Sequence, residues 1–204
     1  MALLIQPGSE LSNSKTGVFT FRQCIFSSHD RGPQPPSWPA THEALWPTDL
    51  FTQGIGWVII ARFKSNEVRV QAGIFLVDVF CLGAKLAHYE DCDGDDYRRH
   101  IRNHYLSRFP MVATEPRCAR KLVEQAVQYA QGLGFAPHPD YKKAARVFGG
   151  LRAKQCSQKF TFGHEGKPST AGAPGKSKEQ ARRIVSHLQQ HCGFRKLCVL
   201  SDAG

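Results

Sequence analysis

The chain has 204 residues, 41% of them apolar, and a net charge of +10. That length and apolar content suit one domain with a real core and exclude a disordered composition. No apolar run reaches the roughly 18 residues of a membrane span, and Met1–Glu10 lacks the basic flank of a secretory signal, so a cytoplasmic protein is expected.

The first 47 residues read as an irregular N-terminal arm. Four of the chain's 12 prolines fall in Arg31–Pro39 (RGPQPPSWP), where fixed φ angles and missing donors favour an extended loop anchored by Trp38 and Trp46. Trp57–Phe63 (WVIIARF) is rich in β-branched and aromatic residues and predicts a strand. A polar turn follows, then a second strand over Val68–Phe80, bent at Gly73, which completes an antiparallel hairpin. A helix is predicted from Ala84 to about Glu90, and DCDGDD (Asp91–Asp96) reads as an acidic loop.

Tyr97, Ile101, Tyr105 and Phe109 recur every four residues and mark the inward stripe of another helix. Thr114 is the expected cap of the next, with Pro116 in its first turn and a buried face of Leu122, Val123, Ala126, Val127, Ala130 and Leu133. Gly132 and Gly134 end it. Tyr141–Phe148 predicts a short basic helix, Gln158–Phe162 a short strand, and 163–176 a Gly/Pro/Ser loop. Ser177 and Gln180 match a capping box at the start of the last helix, which ends near His191. The expected fold is α+β: a small antiparallel sheet packed with about four or five helices. The domain covers 48–193 and a tail covers 194–204.

Several of these segments together resemble the pattern of an uncharacterised bacterial protein family. The main piece is Gly73–Lys85 (GIFLVDVFCLGAK), preceded by Leu50-Phe51 and Gly54-Ile55-Gly56. Downstream come Tyr129-Ala130 with Gly134-Phe135, then His138-Pro139-Asp140-Tyr141, Phe162-Gly163 and Gly166-Lys167-Pro168. The likeness spans roughly residues 48–190 and implies a shared α+β fold and a bacterial origin, with no activity attached. Ala84 stands where the pattern has valine, and Ser169–Pro174 replaces a more aromatic stretch.

Seven cysteines (Cys24, Cys81, Cys92, Cys118, Cys156, Cys192 and Cys198) are widely spaced without a C-x-x-C pair. The odd number predicts reduced thiols, and the spacing argues against a zinc site. Asp78 interrupts an apolar strand. A buried carboxylate needs a partner or a metal, so it is either a catalytic group holding a divalent metal, as in metal-dependent nucleases, or part of the fold through a contact such as Lys85. Cys81, with His138, offers a Cys/His hydrolase arrangement if its thiol is activated and a packing residue if it is not. Asp140 is a plausible helix cap and His138 a turn residue. No other cofactor is implied.

Two further motifs fail on spacing. Thr170–Ser177 (TAGAPGKS) has Thr170 where a P-loop needs its first glycine, which excludes nucleotide hydrolysis, although Lys176 and Lys178 at a helix start suit an anion. Asp91, Asp93 and Asp95 suggest calcium, but the sixth and twelfth loop positions are Asp96 and Arg102, so a solvated loop is expected.

The charge is the broadest feature. Residues 1–96 carry 7 Lys/Arg against 11 Asp/Glu, and residues 97–204 carry 20 against 6. Arg98, Arg99, Arg102 and Arg108 lie off the apolar stripe of their helix. Lys142, Lys143, Arg146, Arg152, Lys154, Lys167, Lys176, Lys178, Arg182 and Arg183 are the expected phosphate contacts. Gly175–Leu188 resembles the last helix of double-stranded RNA-binding domains over about fourteen residues. A nucleic-acid-binding protein is therefore expected, with RNA ahead of DNA or another polyanion. An enzyme centred on Asp78, Cys81, Lys85 and His138 is the second reading. A module that binds a protein partner through the N-terminal arm or the acidic loop is the third.

Overall fold

The computed structural model describes residues 41–64, 68–170 and 178–192. Five antiparallel strands form one sheet: β1 (His42–Pro47), β2 (Ile55–Phe63), β3 (Arg69–Asp78), β4 (Gly83–Asp93) and β5 (Met111–Ala113), in the order β4-β3-β2-β1-β5. The helices are α1 (Leu50–Gln53), α2 (Gly94–Asp96), α3 (Asn103–Leu106), α4 (Pro116–Gly132), α5 (Tyr141–Ala144) and α6 (Lys178–Cys192). A π-helical stretch, Tyr97–Arg102, joins α2 to α3, and 3-10 turns follow α5 at Ala145–Phe148 and Ala153–Gln155. The α+β expectation holds.

The β2–β3 hairpin forms where the β-branched residues put it, in register from Ile55↔Asp78 to Phe63↔Val70. Alternation along these strands divides the core in two. Val58, Ile60, Phe75 and Val77 meet Ala119, Leu122, Val123 and Ala126 of α4, with Ala144, Val147 and Phe148 beside them. On the opposite face Phe63 packs edge-on to Tyr97, and Trp57 to Tyr105.

Three local expectations are corrected. His42–Pro47, expected to be irregular, is strand β1, paired with both β2 and β5. His42 and Glu43 are buried beside Ala44 and Leu45, so no polar alternation marks the strand. Ala84–Glu90, expected to be helical, lies in strand β4. A bulge at Lys85 is the reason: Val77 pairs with Ala84, but Leu76 pairs with Leu86. The extra residue turns Ala84 and Ala87 to the same buried face, three positions apart, which imitates helical spacing. Gln158–Phe162 forms no strand. Phe160 instead packs on Trp46 and Phe51, and Phe162 stacks on Tyr129.

Helix α4 begins with Pro116 as expected, but Glu115 caps it by accepting the Arg117 N–H, and Thr114 donates its own N–H to the Ala44 carbonyl. Cys118 and Cys156 are joined in a disulfide, so the reduced-thiol expectation is corrected for this pair; Cys81 and Cys92 are not disulfide-bonded. Sequence spacing cannot reveal a pairing between a helix and an irregular segment 38 residues away. Residues 1–40 of the N-terminal arm, Ser177 of the capping box, residues 171–177 of the P-loop-like segment and the tail lie outside the described residues. No helix among the described residues is long and apolar enough to cross a membrane.

Candidate nucleic-acid interface

The β3–β4 turn gathers the segments that carry the family-like pattern. Val79 donates its N–H to the Gly54 carbonyl and accepts from the Gly163 N–H; the Phe80 carbonyl accepts from Ser169, and the Ala84 carbonyl accepts from His138. Gly83 adopts φ 62°, and a Cβ there would lie 2.7 Å from the Ala126 carbonyl oxygen of α4. Only glycine lets this turn sit so close to the helix.

Asp78 organises the turn. It is 2% exposed, and its Oδ1 accepts the N–H groups of Phe80 at 3.0 Å and Cys81 at 2.8 Å. Cys81 is fully buried in an apolar cluster with Leu133 of the segment after α4 and Leu188 of α6. That environment suits packing and keeps the sulfur from solvent. Lys85 is the bulge residue of β4, half-buried. His138 accepts the Asp140 N–H on Nδ1 at 3.2 Å, in a local turn. The backbone thus draws Asp78, Cys81, Lys85 and His138 into one neighbourhood, with Asp78 and Cys81 in structural settings.

Among the described residues the cluster able to offer three metal ligands is Glu115, Cys118 and Cys156, not a group at Asp78. With the two sulfurs bonded to each other, it presents no thiolate. The acidic loop is likewise spent on the fold. Asp91 binds Arg69 and Gln71, Asp93 caps α2 through the Asp96 N–H, and Asp95 pairs with Arg98. Hydrogen bonds from Gln71 and then Arg69 hold the Asp91 carboxyl below its usual range.

The cations divide into two sets. Over the sheet face that carries Tyr97 two of them are matched: Arg102 binds buried Glu43 at 2.8 Å, and Arg98 binds Asp95 at 2.5 Å, whereas Arg99 reaches the Asp95 carbonyl and Arg108 the His104 ring. On the other face, Lys142, Lys143, Arg146, Arg152 and Lys154 are exposed and form no ion pair among the described residues. Lys143 Nζ lies 5.9 Å from the ring centre of Tyr89 on β4. Burial, then Asp91, raises the Tyr89 hydroxyl pKa above its ordinary value, against the pull of Arg146, Arg62 and Arg69.

Arg62, half-buried, and Lys64, 3.7 Å from Asp91, lie beside this set, and charge counting hid them because they fall in the acidic first half. Gly149 makes room for Arg62: a Cβ there would lie 2.9 Å from its Nη1. The basic segment is tied down by α4. Arg120 donates to the Leu151 carbonyl, Lys121 donates to the Cys156 and Gln158 carbonyls, and Cys118 supplies the disulfide.

Not every expected contact belongs here. Lys167 follows Gly163 near the β3–β4 turn, at the Asp78 end of β3, whereas Arg62 pairs with Gln71, seven residues and about 23 Å along the strand. Arg182 and Arg183 lie on α6, and Arg183 pairs with Glu179 at 2.5 Å. Lys176 and the side chain of Lys178 are outside the described residues.

No family model, curated protein or solved structure matches the chain.

Proposed function

We propose that this protein binds nucleic acid, RNA ahead of DNA, through the basic face built by Arg62, Lys64, Lys142, Lys143, Arg146, Arg152 and Lys154. The observation that carries the reading is the contrast between the two faces. Arg102 and Arg98 above one face are neutralised by Glu43 and Asp95, while all five cations of 142–154 have no carboxylate partner among the described residues. Unmatched cations on a fixed surface attract phosphates and release their counterions, which gives affinity with a steep salt dependence and little sequence preference. The preference for RNA rests on the likeness of Gly175–Leu188 to a helix of double-stranded RNA-binding domains. A bacterial, cytosolic setting belongs to the same proposal, and the Cys118–Cys156 bond weighs against the cytosolic part of it.

Filter binding to mixed-sequence RNA and DNA across a salt series tests the proposal. Micromolar or tighter binding at low salt, falling linearly on logarithmic axes as salt rises, is the expected result. Absence of binding at the lowest salt would remove the proposal, and tighter binding to DNA would remove the preference for RNA.

A further inference from the structure

Beside the β3–β4 turn lies a recess of about 450 Å³, lined in part by Phe51, Phe80, Phe160, Thr161, Glu165 and Gly166. Its volume is within the roughly 300–1,000 Å³ usual for small-ligand sites. Phe51 of α1 is 40% exposed and lies parallel to Phe160, with ring centres 5.8 Å apart. Trp46 holds Phe160 edge-on at 5.9 Å, and Phe80 packs over Gly54, where a Cβ would collide with its ring. The recess thus has a fixed aromatic lining that reaches solvent through Phe51.

Its cations continue those of the basic face. Lys159 also lines the recess, Lys167 follows Gly166, and neither forms an ion pair among the described residues. Upstream on the same irregular segment stand Arg152 and Lys154, both exposed. Lys121 holds this segment to α4 through the Cys156 and Gln158 carbonyls, and the Cys118–Cys156 disulfide adds a covalent tie. One anchored stretch of chain therefore carries positive charge from the basic face to the aromatic recess.

The turn at the recess adds a second, independent feature. Lys167 donates its N–H to the His164 carbonyl at 3.0 Å, and the two residues between have φ 52° and 76°. Glycine takes such a conformation freely and Asn or Asp tolerate it, so Gly166 suits the turn while Glu165 does not. The Glu165 side chain lines the recess. A carboxylate among phenylalanines opposes a phosphate inside, yet it accepts well from the amino edge of a base.

We infer that this recess takes an unpaired nucleobase of the bound strand, stacked against Phe51, with Lys159 and Lys167 on the flanking phosphates. The assignment rests on the nucleic-acid reading above and adds the contact with a base that the cations alone do not make. Aromatic side chains beside a positively charged track are the means by which unpaired strands are held, because every base has a π-face. A base inside a duplex has both faces covered by its neighbours and does not enter.

The test uses the full chain and two fluorescent strands of about 12 nucleotides, within the span of single-strand sites. One is single-stranded RNA of mixed sequence; the other has the same length and charge but sugars without bases. The base-bearing strand should bind at least about fivefold more tightly, the lower end of what one stacked base contributes. Phe51→Ala should reduce that preference below twofold. Phe51→Trp should keep it, which separates loss of the aromatic face from damage to the fold. Val112→Ala, at a comparably exposed residue of β5, should change neither affinity. Equal binding of the two strands, or a preference that survives Phe51→Ala, would overturn the recess assignment and leave the nucleic-acid reading standing. Binding of neither strand would overturn both.

Discussion

Replacing Asp78 separates a structural carboxylate from a catalytic one. Its Oδ1 accepts the N–H groups of Phe80 and Cys81, both in buried residues of the β3–β4 turn. Asp78→Ala strands those donors where water does not reach them. Each unsatisfied buried group costs about 1–3 kcal/mol, so the loss should be about 2–6 kcal/mol. For a chain of this size that corresponds to a fall in Tm of roughly 4–24 °C. Asp78→Asn keeps a side-chain oxygen at the same place and should lose less than half as much. Urea unfolding followed by circular dichroism, with the Tm from calorimetry, measures both. An Asp78→Ala protein within about 0.5 kcal/mol of the parent would refute the reasoning, since surface substitutions without a structural role fall in that range.

Glu43→Ala should destabilise by about 3–5 kcal/mol, because Glu43 is 6% exposed and accepts from Arg102 and from the buried Tyr97 hydroxyl, and both bonds are lost with it; urea midpoints check this. Cys118→Ser should cost about 4 kcal/mol on the chain-entropy account for a loop of 38 residues, and the parent in reducing agent should match the variant. His42 has a pKa lowered to about 4, chiefly by burial, so the unfolded chain takes up a proton first as pH falls below 6.5. Its neutral form thus stabilises the fold fully above that pH and progressively less between 6.5 and 4. The stability advantage of the parent over His42→Gln should shrink from pH 7 to pH 5, and parallel profiles would contradict it.

What the sequence shows of this fold follows its physical regularity. WVIIARF and the strand after it announce themselves by β-branching, and the buried face of α4 by helical spacing. β4 is concealed because one bulged residue, Lys85, replaces a period of two with a spacing of three between Ala84 and Ala87. β1 is concealed because two of its six residues are buried polar groups: Glu43 binds Tyr97 and Arg102, more than 50 residues on, and His42 meets Thr41. At the candidate interface, Lys142, Lys143, Arg146, Arg152 and Lys154 are visible as a local run of charge. Arg62 and Lys64 are not, since only the pairing of β2 with β3 and the turn at Gly149 bring them to the same face. Asp78 is visible as an anomaly, yet its role depends on a turn whose N–H groups come from the next three residues.

The central claim is that one face, not the overall charge, binds phosphate. Two triple variants with identical net charge test it: Lys142/Lys143/Arg146→Gln and Arg98/Arg99/Arg108→Gln. Measured by RNA binding across a salt series, the first should weaken binding and reduce the slope against salt by about 2–3, and the second should leave both unchanged. Equal losses in the two variants, or a greater loss in the second, would contradict the account.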